Sequence, residues 1–452
     1  MVRPSPDPET IGLQHLMIVE PLEFEILSAL KRQSDEVVLV DLILEKEPIQ
    51  AFIKKHRPDL FCITGYITNV GAIQEYCQLA KELVPGIITM VGGVHCEVCP
   101  EDFNHPSIDF RVVRNATSVF TQLLNHIDRL AELPKGVLAV GEICDEKDLP
   151  PFNFSMPLPD RSIALHYKHR YFYIFHNKVA LIKTSFGCPY TCSFCFCRII
   201  TKGIYHQRPI AEIMDELETI AEREIYIVDD DFLADANWLR QFMDEARKRN
   251  IKKRYLVYGR ADFIAKNPEL MHELKEFGLR TVIVGFESFS ENELLKYNKR
   301  TTSDTYRETM RILHKEKIDC YATIIVPPEW GRNDFKTMVK AVKTLGIHYV
   351  NLQPLTPLPK TAIAYPQEKI LIDPLDYPKW DLAHVAVQPE KMSVADFYRE
   401  ILKAYNQIIF QPKVLWSYLK DYTPVILFKM IAGSQRVSHQ YKQKIKEAER
   451  HA

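Results

Sequence analysis

An excess charge of one sign, long apolar runs and internal repeats are all missing from this sequence. Its 452 residues carry 58 Lys and Arg against 59 Asp and Glu, a net charge of −1. No bulk electrostatic attraction to nucleic acid is therefore encoded. The longest late apolar run, Pro424-Val-Ile-Leu-Phe428, falls far short of the roughly 20 residues needed to cross a bilayer. The opening Met1-Val-Arg-Pro-Ser-Pro-Asp-Pro8 is polar and proline-rich. It has no apolar stretch of the kind a secretory signal needs, so the expected compartment is the cytoplasm. Ten cysteines are present; in a long chain with no such signal, metal or redox chemistry is expected of them rather than disulfides. Hydrophobic residues at 46% and charged residues at 26% are ordinary for a globular enzyme. The length exceeds what one core supports, so two or three domains are expected.

The first third alternates short apolar runs with amphipathic stretches. Residues 16–19, 37–40, 60–63, 87–91 and 110–113 predict buried parallel strands, with helices between them, for example at 70–83 and 118–130. This pattern predicts a doubly wound, Rossmann-like α/β unit over residues 1–135, with ligands bound beyond the carboxyl ends of the strands. Residues 136–176 read as a linker, proline-rich at 150–160 and dense in aromatics at 167–175. Six further strands at 179–184, 225–228, 254–258, 281–284, 321–326 and 349–352 predict a partial TIM-type barrel over 177–362, with chemistry at the carboxyl ends of its strands. Residues 363–452 read as an appended, largely helical region.

Just after the first barrel strand comes Cys188-Pro-Tyr-Thr-Cys192-Ser-Phe-Cys195. Three thiols at this spacing can converge on one cubane iron–sulfur cluster, for which thiolate is the usual protein ligand. Three cysteines leave one of four irons open to a small molecule, whereas zinc sites favour paired CxxC units. Cys197, two residues on, reads as a bystander, since a fourth thiolate would close the open iron. With Phe194 before the last cysteine, the segment resembles the CxxxCxxC signature of the radical S-adenosyl-L-methionine (SAM) superfamily. The resemblance implies that Cys188, Cys192 and Cys195 hold a [4Fe-4S] cluster and that SAM chelates the open iron through its amino and carboxylate groups. It further implies that one electron cleaves SAM to methionine and a hydrogen-abstracting 5′-deoxyadenosyl radical.

Other barrel segments extend the resemblance. Ile227-Val-Asp-Asp-Asp-Phe232 ends the second strand, and the resemblance implies that Asp229 and Asp230 face SAM. Asp231 and Asp235 read as an exposed acidic turn or a helix cap. Arg260, ending the third strand in Tyr258-Gly-Arg-Ala-Asp262, is expected close to SAM, where its fixed guanidinium can hold a carboxylate bidentately. Gly285-Phe-Glu-Ser288 resembles the family's GxES, which implies that Glu287 and Ser288 meet the ribose and that Gly285 permits close approach. Asn298-Lys299 and Leu355-Thr-Pro-Leu-Pro359 echo further family elements. Lys360 stands where a glycine is expected, predicting a different turn. Trp330, in a segment that departs from the usual glycine–proline turn, reads either as cavity lining or as packing under a loop.

The N-terminal unit resembles the cobalamin-binding domain fused ahead of one class of radical SAM enzymes, which makes the expected domain a flavodoxin-type cobalamin binder. The matching elements are Val40-Asp-Leu42, Thr64-Gly-Tyr-Ile-Thr-Asn69, Val91-Gly-Gly-Val-His95 and Val112-Val-Arg114. They imply a cobalamin site at Thr64, Gly65, Asn69, Gly92, Gly93 and His95. No DxHxxG is present, Asn115-Ala-Thr-Ser118 replaces the relatives' GEGE, and Glu23-Phe-Glu25 stands where a glycine often follows the first strand. A vestigial domain without cobalamin is the other reading. His95, Cys96 and Cys99 together lack a clear fourth zinc ligand.

The whole chain resembles the subgroup containing hopanoid methylases, the anaerobic magnesium-protoporphyrin ester cyclase and antibiotic C-methylases. Three readings follow: a cobalamin-dependent methyltransferase acting on an unactivated carbon, a cyclase or rearrangement enzyme that transfers no methyl, and an iron–sulfur electron-transfer or sensory protein without turnover. The implied partners are a small-molecule or lipid-like substrate and a reducing electron donor of flavodoxin or ferredoxin type. In the tail, residues 414–430 place Trp416, Tyr418, Tyr422 and Phe428 among lysines. That pattern fits peripheral membrane contact or a helix packed over the barrel mouth.

Overall fold

The computed structural model describes residues 1–12, 15–126 and 133–450. The N-terminal unit is built on strands β1 (Val2–Arg3), β2 (Val40–Asp41), β3 (Leu60–Thr64), β4 (Ile88–Gly92), β5 (Phe110–Val112) and β6 (Val137–Ala139). Their order is β2-β1-β3-β4-β5-β6. The first five are parallel and β6 is antiparallel to β5. A 2-1-3-4-5 order is that of flavodoxin-type doubly wound sheets, with its switch point between β1 and β3. Helix Val70–Leu83 forms as expected, burying Val70, Ile73, Cys77 and Ala80 at helical spacing against this sheet. The helix expected at 118–130 runs Ala116–His126, and residues 127–130 lie outside the described residues.

One strand assignment is corrected. Residues 16–19 are not in this sheet. Val2–Arg3 occupies the central position instead, with Val2 buried, the Met1 amine donating to the Val38 carbonyl at 2.9 Å, and Arg3 paired with Asp41. Met17–Ile18 pairs antiparallel with Phe172–Tyr173 in a separate three-stranded sheet. Its side chains alternate between two cores: Ile18 packs with the N-terminal unit, and Met17 with the floor of the barrel. A two-residue strand such as β1 has no readable period, whereas an apolar run at a domain junction has one for a different reason.

All six barrel strands form: β7 (Val179–Ile182), β8 (Glu224–Ile227), β9 (Arg254–Gly259), β10 (Leu279–Glu287), β11 (Asp319–Val326) and β12 (Tyr349–Pro354). They pair in sequence order, all parallel, leaving β7 and β12 as edges of a partial barrel. Residues such as Ile182, Ile227, Val257 and Val282 face the surrounding helices. Alternate residues Leu181, Tyr226, Leu256 and Ile283 face inward, where Leu22 and Tyr173 join them and close the floor. Residues 136–176 are built into the fold at both ends, through β6 and through Phe172–Tyr173. Arg161 fastens them. It donates to Glu25 (3.2 Å), Glu216 (2.8 Å) and the Leu181 carbonyl (2.7 Å), and Glu20 lies against the same guanidinium. Removing one member of so buried a network costs about 3–5 kcal/mol.

The tail forms helices Val394–Ile409, Pro412–Asp421 and Pro424–Arg450. It does not cover the barrel mouth. The Tyr418 hydroxyl donates to the His348 carbonyl at 3.0 Å and Tyr422 pairs with Tyr349, both at the amino-terminal start of β12. The tail therefore sits at the floor, away from the cysteine loop.

Candidate cofactor and active site

The loop after β7 carries the three cysteines, each half-buried. Other strand ends brace it. Asn298 donates to the Thr191 carbonyl (2.9 Å) and hydroxyl (2.7 Å), and Ser193 is bonded to the carbonyls of Lys296 (3.0 Å) and Tyr297 (3.1 Å). Gly187 has φ +73, and a Cβ there would lie 2.1 Å from the Ile204 carbonyl oxygen, so the loop's entry turn requires glycine. Arg260, just after β9, lies over the Tyr190 ring at 3.7 Å, donates to Asp262 at 2.8 Å and reaches Cys192 Sγ at 3.8 Å. Burial pushes the Cys188 thiol up to about 12 and raises Cys192, while a hydrogen bond with Cys197 lowers Cys195. Metal binding would displace these protons, since thiolate is the ligating form.

The acidic triplet divides. Asp229 is buried and fully engaged: it accepts from the Thr184 amide (2.6 Å), the Ser185 hydroxyl (2.7 Å) and the Thr184 hydroxyl. Asp230 is half-buried beside Cys195 and Cys197. Asp235 caps helix Ala236–Lys248, as expected, accepting from Asn237 and Trp238. Asp231 was expected in an exposed turn; it is instead 2% exposed, and neither carboxylate oxygen has a hydrogen-bond partner. Burial raises its carboxyl to about 7 against the pull of Arg260 and Lys299. A buried, unpaired carboxylate costs several kcal/mol, so one retained beside two cations marks a place for a cationic ligand.

Glu287 ends β10 at φ +60, an uncommon backbone region for a glutamate, and pairs with buried Lys299 at 2.9 Å. A Cβ on Gly285 would fall 2.1 Å from Glu287 Oε1 and 2.7 Å from Lys299 Nζ, so this glycine makes room for the pair. Ser288 is fully buried; its hydroxyl donates to Glu293 at 2.5 Å and accepts from the Ser290 amide at 2.9 Å. Trp330 donates to the same Glu293 at 2.7 Å and is buried, which is the packing role. Lys360 takes a left-handed backbone conformation, φ +63, of the kind that favours glycine. It spends its side chain on the Val98 carbonyl and on Glu101 at 3.2 Å, across in the N-terminal unit.

In that unit Thr64 and Gly92 are paired across β3 and β4, with the Thr64 hydroxyl donating to the Gly92 carbonyl at 3.2 Å. Asn69 accepts from the Tyr66 amide at 3.1 Å. Cβ atoms on Gly65 and Gly93 would strike Asn69 and Thr64 at 2.7 and 2.2 Å, whereas Gly92 has no neighbour nearer than 3.6 Å. Two of the three glycines thus serve internal packing, and the edge at Gly92 is the open one. His95 is buried against Asp102 at 2.7 Å, and these two with Cys99 form a cluster of three possible metal donors; Cys96 turns into the core instead.

The two sets of strand ends face each other. Helix Val94–Val98 packs against Cys197–Ile200, and Tyr66 approaches Tyr258 and Cys197. Tyr66 and Tyr258 stay 64% and 36% exposed although protein surrounds both, so they line an internal cleft.

Residues 182–342 match the family model described as the radical SAM superfamily, and residues 11–124 match the B12 binding domain. Hopanoid C-3 methylase of Methylococcus capsulatus is 26% identical over 96% of this chain and 84% of its own. The anaerobic magnesium-protoporphyrin IX monomethyl ester cyclase of Rubrivivax gelatinosus is 23% identical over 85% of this chain and 73% of its own. Among solved structures, the radical SAM methyltransferase TsrM of Kitasatospora setae, with cobalamin and a [4Fe-4S] cluster bound, superposes with TM-score 0.68 at 17% identity, covering 100% of this chain and 99% of that one. OxsB, a cobalamin-dependent SAM radical enzyme, gives 0.69 at 16% identity over 96% of this chain and 71% of that one.

The chain carries a B12 binding domain followed by a radical SAM domain.

The donor set fits the cofactors of these two domains. Three thiols without a paired CxxC suit a cluster with an open iron, and the orphaned Asp231 suits an ammonium group beside it. The open Gly92 edge and the exposed Tyr66 and Tyr258 leave room between the two sets of strand ends. Asp231 was missed in the sequence because three adjacent acids look like a solvated turn; only burial separates it from Asp235.

Proposed function

We propose that the protein is a methyltransferase that delivers a methyl group to an unactivated carbon of a small-molecule or lipid-like substrate, drawing on a [4Fe-4S] cluster, SAM and cobalamin. The observation that carries this reading is the single cleft onto which both sets of strand ends open, lined from one side by Tyr66 and from the other by Tyr258. When bound, the cluster supplies the electron that opens SAM, and cobalamin supplies a methyl carrier. In this reading Cys188, Cys192 and Cys195 hold the cluster. Arg260 keeps the Tyr190 loop against β9, Asp231 accepts from the SAM ammonium, and the Glu287–Lys299 pair presents a fixed carboxylate to the ribose hydroxyls. Asp229 braces the β7 and β8 ends rather than touching ligand, since its oxygens are already satisfied. Thr64, Gly65, Asn69, Gly92, Gly93 and His95 shape the cobalamin side; residues 1–135, 177–362 and 363–452 form the three domains. A flavodoxin- or ferredoxin-type protein supplies electrons.

Two relatives that bear methylase and methyltransferase names span nearly the whole chain, which supports this reading. A cyclase without methyl transfer is the second reading, favoured by the Rubrivivax likeness over 85% of the chain. A cluster protein without turnover is disfavoured, because it has no use for a buried unpaired Asp231 or a strained Glu287. The test is anaerobic turnover with reductant, cobalamin and SAM labelled at its methyl group. Methyl transfer predicts 5′-deoxyadenosine and S-adenosylhomocysteine in near-equal amounts and label in the product. The cyclase reading predicts 5′-deoxyadenosine without matching S-adenosylhomocysteine, and no label.

A further inference from the structure

The tail carries an apolar face that the fold leaves uncovered. In helix Pro412–Asp421, Val414 and Tyr418 turn inward while Trp416 and Leu419 point out, at 72% and 66% exposure. The next helix exposes Val425, Phe428 and Ile431, one turn apart, and Phe410, just before the first of the two helices, is exposed as well. Beyond Ile431 the same exposed stripe becomes polar and basic at Gln435, Arg436 and His439. A single patch of this kind is uncommon on a monomer's surface and marks an interaction site.

Charge identifies what covers it. The chain as a whole is balanced, with 58 basic and 59 acidic residues, yet from Tyr422 to Lys446 it contains no Asp or Glu. Lys420, Lys429 and Arg436 are exposed on the same two helices, Lys429 with its ammonium 5.4 Å from the Phe172 ring. A second copy docked on the same face by twofold symmetry would set these cations against their own counterparts. An anionic bilayer meets both demands: aromatic and aliphatic side chains enter the headgroup boundary, and lysine and arginine meet the lipid phosphates. No helix among the described residues is long and apolar enough to cross a membrane, so contact is with one leaflet.

We infer that residues 410–431 dock this enzyme on an anionic membrane surface. Because the tail packs at the floor of the barrel, docking leaves the cofactor end facing away from the lipid. The inference does not depend on methyl transfer.

Trp416 is the reporter, since Trp330 and Trp380 are buried and Trp238 packs against the core. Full-length protein is mixed with vesicles of phosphatidylcholine alone or of equimolar phosphatidylcholine and phosphatidylglycerol. Expected on the mixed vesicles is flotation, a blue shift of tryptophan emission, and quenching by lipids brominated on their acyl chains. Trp416→Phe should abolish the shift and quenching but not flotation. Trp416→Ser with Phe428→Ser should weaken flotation about tenfold or more, and Lys420→Gln with Lys429→Gln should weaken it on the anionic vesicles only. Failure of the intact protein to float with either vesicle overturns the inference, as does flotation indifferent to the Trp416 and Phe428 substitutions. A dimer in solution that those substitutions dissolve also overturns it and assigns the face to a second copy.

Discussion

Across one cleft, the two sets of strand ends treat their polar groups in opposite ways. On the N-terminal side the polar residues Thr64, Asn69 and His95 are paired within the protein: Thr64 with Gly92, Asn69 with Tyr66, His95 with Asp102. On the barrel side two features stay unresolved, the unpaired carboxylate of Asp231 and the left-handed Glu287 held by Lys299. A carboxylate left buried without a partner costs free energy that a cationic ligand or a bound proton can return, whereas a satisfied motif is stable with or without a ligand. The barrel side is therefore the more strongly committed to a charged ligand, and the N-terminal side to presenting a surface.

The comparison breaks most visibly at the cysteines. Replacing Cys188, Cys192 or Cys195 by Ala should abolish both the cluster, read by its electron paramagnetic resonance, and formation of 5′-deoxyadenosine. Cys197→Ala should leave both in place; loss of the cluster in that variant alone would overturn the ligand assignment. Next in size are the residues around Glu287. Gly285→Ala forces the Glu287–Lys299 pair aside by an ångström or more, and SAM cleavage should fall about 100-fold. Glu287→Gln leaves Lys299 buried beside a neutral partner and should cost about 3 kcal/mol in denaturant unfolding. Smallest is Asn69→Ala, which removes the bond to the Tyr66 amide and should cost about 1 kcal/mol. It should slow substrate modification while 5′-deoxyadenosine still forms. Equal loss of both products would show that the two sides of the cleft cannot be separated.

Much of this was legible before the fold was known. Barrel strands run four or more residues with buried periodicity, so all six appeared at their places, and the cysteine spacing located the loop. Two kinds of feature escaped. β1 and β6 are two and three residues long and owe their place to partners distant in sequence, while residues 16–19 are apolar because two cores share them. Asp231 and Asp235 are the same residue type four positions apart. Capping needs only local chain, but burial of Asp231 depends on strand ends from across the barrel. Lys360 shows the same limit: its glycine-like turn is held by the Val98 carbonyl and Glu101, which no local pattern could supply.

A carboxylate kept buried and unpaired, as Asp231 is, leaves a pH signature in stability. With its carboxyl raised to about 7 from the ordinary 3.8, the folded cluster-free protein holds a proton that the unfolded chain has released. Stability should therefore fall as pH rises from about 4 to about 7, by up to about 4 kcal/mol from this group. Denaturant unfolding of cluster-free wild type and Asp231→Asn should show a variant more stable by about 1–2 kcal/mol at pH 5 and by about 4 kcal/mol at pH 8. A variant less stable than wild type at pH 8 would mean that Asp231 is already paired in the folded protein, contradicting the account.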